Sequence, residues 1–241
     1  MLKNTSKIAL IPAYNPDHKI IGVVRGLKNS GFTVIIVNDG SDPEFDSLFD
    51  KSNGADEVIN HEENRGKGIA LKTGLRWIYK NCTAPYTVVT VDADGQHLTA
   101  DALKVSSAAR RCPSTLIIGS RRLKRDAPFR SKSGNFITRA FLNTLTSVKV
   151  YDTQSGLRGF THDLIPVLTQ IDGSRYEYEM QMLIDVDRRG IPIKEVPIEA
   201  VYIGTNSTSH FRTIYDSKRL YKVIFKNAGK RKKKRRYMIA T

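Results

Sequence analysis

Short runs of apolar, mostly β-branched residues alternate along the chain with longer stretches in which apolar residues recur at helical spacing. This alternation predicts an α/β fold, a Rossmann-like and mostly parallel sheet flanked by helices. The predicted strands are residues 8–11, 33–37, 57–59, 87–91, 116–118 and 193–198. The predicted helices are residues 19–30, 67–80, 100–110, 135–145, 177–189 and 214–226.

The pattern changes after residue 119, where long polar stretches cover residues 121–133 and 152–160. A chain of 241 residues is long enough for one large α/β domain, whereas two full domains would be tight. We therefore predict a single domain over residues 1–225, with residues 1–119 as its nucleotide-binding half and residues 120–225 as its acceptor half. Residues 226–241 form a polybasic tail.

The net charge of +15 is concentrated in that tail, which holds eight Lys and Arg and no acid, leaving +7 for residues 1–225. Like charges this crowded repel one another and predict a disordered or surface-bound segment. Each basic side chain close to an anionic membrane surface contributes about 1 kcal/mol of attraction. The alternative is a solubilising tail or one that attracts nucleic acid. No specific nucleic acid is expected, because aromatic residues are not interleaved with the charge as stacking platforms.

Cellular location is indicated by three features of the sequence. Cys82 and Cys112 have neither metal-type spacing nor a paired framework, which favours a reducing compartment. The first residues lack the apolar core of a secretory signal, and no apolar run approaches the roughly 18 residues that span a bilayer. We therefore expect a cytoplasmic protein, peripheral at the inner face of a membrane.

Polar clusters directly follow four of the predicted strands. In doubly wound sheets, ligands bind beyond the carboxyl ends of the strands. One cluster is ordinary loop composition, but four at the same predicted edge indicate one site. The clusters are residues 12–15, 38–42, 92–97 and 119–122.

Asp92 and Asp94 are the sharpest feature, because they present two carboxylates immediately after an apolar strand. Such a pair can share a hard divalent cation, with the carbonyl oxygen of Gln96 and a diphosphate completing the shell. The cation would then offset charge on the diphosphate as a bond breaks. The alternative is an Asx turn that leads into the next helix.

Two further loops carry candidate ligand contacts. Asp39, in the loop 38–42, can accept hydrogen bonds from a base edge or a ribose hydroxyl, or it can belong to a plain turn and helix cap. Residues 64–68, Asn-Arg-Gly-Lys-Gly, precede a predicted helix, where backbone amides favour an anion. A plain helix start is an equal alternative, and the spacing is not that of a Walker A loop.

The ordered set of these segments resembles the family 2 glycosyltransferases. Within that family it resembles the dolichyl-phosphate mannose synthase-like, or polyprenyl-phosphate glycosyltransferase, branch. The likeness also includes residues 119–121, the Asp-Thr-Gln-Ser-Gly-Leu-Arg-Gly-Phe segment 152–160, and Glu-Val-Pro-Ile at 195–198. It therefore extends over nearly the whole domain, and the ordered set is far more specific than any one motif.

The resemblance implies a GT-A fold, a nucleoside-diphosphate sugar donor and Mg²⁺ or Mn²⁺ as cofactor. It assigns the nucleoside to Pro12, Tyr14 and Asp39. It assigns the metal and the diphosphate to Asp92, Asp94 and Gln96. Further nucleotide-sugar contacts implied by the matched motifs are Asn15, Lys67, Ala93, Arg121 and Arg158. The two arginines would face phosphates, and Asp152 would be catalytic together with Asp94.

The second half offers three more candidates for acceptor or phosphate contacts. Glu177 and Glu179 begin a predicted helix and diverge by about 200°, so only one can face the site. Glu179 is the candidate base, and Glu177 is favourable charge at a helix N-terminus. The basic segment that relatives carry after residue 198 is replaced by residues 202–212. There His210 and Arg212 can take over phosphate contacts, a solvated loop being the equal alternative.

The expected reaction is inverting transfer to a polyprenyl phosphate, whose ionised oxygen requires little general base. A soluble or glycan hydroxyl acceptor is the nearest alternative and would make Asp152 the base. A non-catalytic nucleic-acid binder and a nucleotide-sugar-binding pseudoenzyme are the alternatives from other classes. The expected partners are the nucleotide sugar, the acceptor, an anionic membrane surface and a separate membrane protein.

Overall fold

The computed structural model describes residues 5–121 and 150–199. The strands in this part of the chain are β1 Lys7–Ala13, β2 Thr33–Asn38, β3 Glu57–Asn60, β4 Thr87–Thr90, β5 Leu116–Arg121, β6 Arg158–Thr161 and β7 Ile193–Ile198. The α-helices are α1 Lys19–Asn29, α2 Lys67–Asn81, α3 Thr99–Arg111, the single turn α4 Ile165–Leu168, and α5 Glu177–Arg188. Short 3₁₀ helices cover Pro43–Phe49, Lys51–Asn53 and His162–Leu164.

The described strands form one seven-stranded sheet in the order β3-β2-β1-β4-β6-β5-β7. Neighbours from β3 to β4 are parallel, and so are β5 and β7. Strand β6 is antiparallel to both β4 and β5. Because β6 is reversed, its first residue, Arg158, pairs with Thr90 near the end of β4. The segment that leads into β6 therefore reaches the same edge of the sheet as the ends of the parallel strands.

Two hydrophobic cores cover the two faces of the sheet. Ile8 and Leu10 of β1 point into the core beneath α2 and α5. Ala9 and Ile11 point into the core beneath α1 and α3. The continuous apolar run of β1 is therefore explained by burial on both sides. Each fully buried aliphatic side chain contributes about 1.5–3 kcal/mol, so these faces fix the sheet that carries the loops.

The predicted fold class is confirmed, and all six predicted strands are present. The helices expected over 19–30, 67–80, 100–110 and 177–189 are also present, with no end shifted by more than one residue. Strand β6 was not predicted, because the segment 152–160 has the composition of a polar loop. The helices expected over 135–145 and 214–226, and the tail 226–241, lie outside the described residues. The division of the chain at residue 225 stays a prediction.

In the two described ranges, every helix is too short or too polar to cross a bilayer.

Candidate active site

The loops that follow β1 and β2 are bound to each other. The side-chain amide of Asn15 donates to Asp42 at 2.7 Å and accepts from the backbone N–H of Asp42 at 2.9 Å. The backbone N–H of Asn15 also donates to the hydroxyl of Ser41. Asn15 has a φ of 43°, a conformation that asparagine tolerates better than most residues. Asn15 therefore joins two of the predicted clusters, with half-buried Tyr14 in the same loop and half-buried Pro12 near the end of β1.

Asp39 is buried and holds the loop 64–68 in place. Its carboxylate accepts from the backbone N–H groups of Arg65 at 3.1 Å and Gly66 at 2.8 Å. His61 lies 2.7 Å from the same carboxylate, and its other ring nitrogen lies 3.0 Å from the hydroxyl of Thr73. In this structure Asp39 therefore orders the start of α2. Its predicted contact with a nucleoside stays a prediction.

Gly40 explains how the loops after β2 and β3 approach so closely. A Cβ at this position would overlap the backbone of Glu63 and Asn64. Gly40 also has a φ of 70°, in the left-handed region that favours glycine. Two of the loops at the carboxyl edge are thus packed backbone to backbone.

Lys67 is the first residue of α2 and connects three parts of the site. Its ammonium lies 2.8 Å from Oδ1 of Asp92 and 3.0 Å from Oε2 of Glu179. It also lies 5.7 Å from the centre of the Tyr176 ring. Burial acts to lower the pKa of Lys67, but the carboxylates of Asp92 and Glu179 raise it above its ordinary value. The ammonium therefore stays charged and links the end of β4 to α5.

The pKa values of Asp92 and Asp94 are shifted in opposite directions by their surroundings. Burial opposes ionisation of Asp92, yet Lys67 holds the pKa of Asp92 well below its ordinary value. The pKa of Asp94 is raised by burial and by the negative charge of Asp92, although the backbone N–H of Gln96 donates to its carboxylate at 3.0 Å. The two carboxylates are thus close enough to repel each other. This is the electrostatic condition that a bound cation relieves.

Gly156 presses against Asp92 from the segment that leads into β6. A Cβ at Gly156 would collide with the carboxylate of Asp92. The carbonyl of Gly156 accepts from the hydroxyl of Thr90 at 2.6 Å, and the same hydroxyl accepts from the backbone N–H of Arg158. Close packing and hydrogen bonds therefore fix the position of Asp92. In the described part of the chain, no three His, Cys, Asp or Glu residues are grouped as metal ligands.

Asp152 is 1% exposed, and its carboxylate is engaged by other groups. Nε of Arg121 lies 2.7 Å from Oδ2, and Nη2 lies 3.3 Å from Oδ1. The backbone N–H groups of Arg121 and Gln154 donate to the same carboxylate. Glu195 accepts from the backbone N–H of Asp152 at 3.1 Å. This geometry is that of a buried ion pair that orients Arg121, rather than that of a base presented to an acceptor.

Arg158 corrects one sequence prediction. The expectation that it faces a phosphate is wrong, because its side chain is 1% exposed and enters the core. Its guanidinium donates to the carbonyls of Glu179 at 2.6 Å and Ser155 at 3.2 Å, and contacts the sulfur of Met182. The direction of β6 turns this side chain towards α5. Arg158 therefore attaches α5 to the segment beside Asp92.

Glu179 is the member of the glutamate pair that faces the site. It is 9% exposed. Its Oε2 lies 3.0 Å from the ammonium of Lys67, and its Oε1 is buried with no hydrogen-bond partner among the described residues. Glu177 is instead the first residue of α5 and accepts from the backbone N–H groups of Ser174 and Arg175, in the turn that precedes the helix. The prediction that one glutamate faces the site and the other serves the helix terminus is confirmed. His210 and Arg212 lie outside the described residues.

Three positioning residues were not assigned from the sequence. His61 supports Asp39, Thr90 supports Gly156, and Glu195 supports the backbone at Asp152. Glu195 lies within a recognised segment, but its role depends on the pairing of β5 with β7. No local pattern signals such a contact.

The fold and the site together define a nucleotide-sugar transferase of the GT-A fold. The chain belongs to glycosyltransferase family 2, whose model, described as Glycosyl transferase family 2, matches residues 8–167. The predicted family is therefore confirmed.

Named relatives are consistent with this assignment. The chain is 31% identical over 233 residues to the UDP-N-acetylglucosamine–dolichyl-phosphate N-acetylglucosaminyltransferase of Methanococcus voltae, covering 86% of this chain and 92% of that protein. Glucosyl-3-phosphoglycerate synthase from Mycobacterium tuberculosis has a similar structure, with a TM-score of 0.70, 18% identity, and coverage of 94% of this chain and 81% of that one. Mannosyl-3-phosphoglycerate synthase from Rubrobacter xylanophilus gives a TM-score of 0.68 at 15% identity, covering 94% and 73%. At these identities, the two structures show the fold alone.

Proposed function

We propose that this glycosyltransferase moves a sugar, with inversion, from a nucleoside diphosphate to a polyprenyl phosphate at an anionic membrane surface. One observation supports a phosphate as the acceptor: each of the two candidate bases is paired with a cation. Asp152 is held by Arg121, and Glu179 is held by Lys67. A hydroxyl acceptor must lose a proton to a base, whereas a phosphate acceptor is already ionised. The dolichyl-phosphate acceptor named for the Methanococcus voltae relative supports the same class.

The donor site in this proposal lies at the ends of β1, β2 and β4. Pro12, Tyr14 and Asp39 bind the nucleoside, and Arg121 faces a phosphate with Asp152 fixing its orientation. Lys67 adds positive charge beside the leaving diphosphate. Electrostatic stabilisation of a leaving group of this kind is usually the largest catalytic contribution.

The residues at the end of β4 fit a divalent ion, because two mutually repelling carboxylates there already attract the ammonium of Lys67. Asp92, Asp94 and Gln96 would hold Mg²⁺ or Mn²⁺, with diphosphate oxygens as further ligands. When bound, the ion would supply positive charge to the leaving diphosphate. The polybasic tail 226–241 would bring the site to anionic lipid headgroups.

Transfer to a hydroxyl acceptor is the second candidate function. It is favoured by Oε1 of Glu179, a buried carboxylate oxygen that accepts no hydrogen bond within the part of the chain that the structure describes. Such an oxygen could take the proton of an incoming hydroxyl.

One assay distinguishes transfer to a polyprenyl phosphate from transfer to a hydroxyl acceptor. The purified full chain is incubated with Mg²⁺ or Mn²⁺ and a panel of nucleotide sugars, beginning with UDP-N-acetylglucosamine, with and without a polyprenyl phosphate. Released nucleoside diphosphate and sugar-linked lipid are both measured. We expect sugar-linked lipid, with nucleotide release that depends on the polyprenyl phosphate. Efficient transfer to a glycan or other hydroxyl without the lipid would contradict the proposal and select the second function.

A further inference from the structure

The ammonium of Lys67 lies where two carboxylates from different parts of the fold converge. It is 2.8 Å from Asp92, at the end of β4, and 3.0 Å from Glu179, in the first turn of α5. The second oxygen of Glu179 is buried and accepts no hydrogen bond from residues 5–121 or 150–199. The single positive charge of Lys67 therefore faces two carboxylates and can neutralise only one of their two negative charges.

The position of Lys67 in α2 makes its role more specific. A positive side chain is disfavoured at the first position of a helix, because the helix dipole is positive there. The first turn of α2 contains no acidic residue to offset it. The stabilising partners of Lys67 are instead the carboxylates outside α2, and its other neighbour is the ring of Tyr176. The dipole of α2 thus disfavours the charge of Lys67, and the carboxylates of Asp92 and Glu179 stabilise it.

We propose that Lys67 is a resident cation, which neutralises Asp92 and Glu179 in the unloaded protein and must leave Asp92 when a divalent ion binds. This proposal rests on the metal role given under the proposed function. Glu179, already 3.0 Å from the ammonium, provides a partner for the displaced side chain. The diphosphate of the donor provides another. Metal and nucleotide would therefore bind with positive coupling, since the nucleotide stabilises the arrangement that the metal requires.

The contact between Lys67 and Asp92 reduces the fraction of molecules that can bind the ion. A site that is competent in only a fraction of molecules binds its ligand more weakly by that fraction. If Lys67 remains on Asp92 in nine of ten unloaded molecules, its removal tightens ion binding about tenfold. The same removal weakens binding of the nucleotide in the presence of the ion, because the diphosphate loses a charged contact. These two changes have opposite signs, which an unspecific effect on folding would not produce.

The test measures Mn²⁺ binding by isothermal titration calorimetry, first without nucleotide and then with a saturating nucleoside diphosphate. The variants are Lys67→Met, which removes the charge, and Lys67→Arg, which keeps it. The matched control is Lys28→Met, because Lys28 makes a two-pronged salt bridge with Asp56 at 2.7 and 2.8 Å elsewhere in the fold. We expect about tenfold tighter Mn²⁺ binding in Lys67→Met alone, with wild-type affinity in the other two variants.

Thermal unfolding gives a second readout. Lys67→Met should lower the unfolding midpoint of the ion-free protein, because Asp92 and Glu179 lose their shared partner. Saturating Mn²⁺ should then raise the midpoint more in Lys67→Met than in the wild type, since tighter binding stabilises more at equal ion concentration. Lys28→Met should lower the midpoint but respond to Mn²⁺ like the wild type. If Lys67→Met does not fold, Lys67→Gln carries the same comparison.

Mn²⁺ binding by the wild type and by Lys67→Met distinguishes a failure of the resident-cation role from a failure of the metal role. Equal Mn²⁺ affinity and equal midpoint increments in wild type and Lys67→Met would overturn the resident-cation proposal alone. Mn²⁺ binding by Lys67→Met but not by the wild type would support it and overturn the metal requirement of the wild-type enzyme. Binding by neither protein, even with nucleotide, would overturn both.

Discussion

Asp152 accepts three hydrogen bonds from Arg121, two from the guanidinium and one from the backbone N–H. The pair joins the last residue of β5 to the segment that enters β6. An aspartate engaged in this way orients its arginine and is poorly placed to remove a proton from an acceptor. The pair therefore fixes the position of the Arg121 guanidinium at the end of β5.

Removing the acidic member of this pair should cost substantial stability. We expect Asp152→Ala to lower the free energy of unfolding by about 3 kcal/mol, near the lower end for a broken buried pair, because Arg121 keeps partial access to water. Urea denaturation measures the change. The control is Asp17→Ala, which breaks an ion pair with Lys19 whose side chains are 32% and 40% exposed, and it should cost less than about 1 kcal/mol. Equal losses in the two variants would show that the Asp152 pair is not buried in solution.

Asp94 is predicted to be essential for transfer but not for folding. Asp94→Ala should reduce sugar transfer by about 100-fold or more, the loss expected when a main source of charge stabilisation is removed. The far-UV spectrum and the cooperativity of unfolding should be unchanged. Transfer by the full chain and its sensitivity to a saturating chelator are measured side by side. Undiminished activity in the variant, with the chelator also harmless, would refute the metal role.

The two neighbouring aspartates should affect stability with opposite signs in metal-free buffer. The folded-state pKa of Asp92 is depressed, so its contribution is complete above the unfolded-state value near 3.8 and is lost as the pH falls through the folded-state value. The folded-state pKa of Asp94 is raised, so its ionised form opposes folding at neutral pH. That opposition disappears as the pH falls through the raised value towards 3.8.

At pH 7 we therefore expect Asp92→Asn to destabilise the protein by about 2 kcal/mol, since a hydrogen bond between charged groups is lost. Asp94→Asn should leave it equally stable or more stable. Between pH 7 and pH 4 the difference of Asp94→Asn from the wild type should shrink, whereas that of Asp92→Asn should persist, because the contribution of Asp92 is lost only below about 3.8. Urea denaturation between pH 7 and pH 4, with chelator present, provides the measurement. Destabilisation by Asp94→Asn at pH 7 would contradict the repulsion between the two carboxylates.

Gly156 should tolerate no side chain. Gly156→Ala would place a methyl group against the carboxylate of Asp92, and overpacking of this kind costs about 1–3 kcal/mol. Displacement of Asp92 should also reduce transfer. Gly22→Ala is the matched control, because Gly22 is an exposed position of α1 with open space around it, and it should stabilise the protein by about 0.5–1 kcal/mol. An active and fully stable Gly156→Ala variant would show that the segment can move away from Asp92.

The tail should determine affinity for anionic membranes. Sedimentation with vesicles is expected to recover the full chain with anionic but not with neutral lipids, because basic side chains are attracted to the negative surface. Deletion of residues 228–241 should abolish this difference. Equal binding to both vesicle types, or no effect of the deletion, would discard the tail as a membrane anchor.

Periodicity and strand-end rules predicted the frame of the site. Asp39 and Asp92 were placed at one edge because each follows a strongly patterned strand, and the carboxyl ends of parallel strands meet. Lys67 was linked to the nucleotide sugar only through the family resemblance. Helical geometry likewise separated Glu179 from Glu177. These inferences needed only local sequence, since each rests on the spacing of neighbouring residues.

Arg158 and Glu195 show what local sequence could not predict. Arg158 begins a four-residue strand with a glycine at its second position, so no apolar run announced β6. Its reversed direction sends the guanidinium into the core, whereas a parallel strand would have started at the opposite edge. Glu195 is 43 residues away from Asp152 in the chain, and it reaches Asp152 only because β7 pairs with β5. Both roles follow from tertiary pairing.

The bond between Arg121 and Asp152 also fastens together the two ends of the chain segment that separates β5 from β6. A segment closed at its base can be exchanged for one of different length at little entropic cost, because its end-to-end distance is already fixed. Exchanging the residues between Arg121 and Asp152 for a stretch of different length should therefore change the free energy of unfolding by less than about 1 kcal/mol, as long as both members of the ion pair are kept.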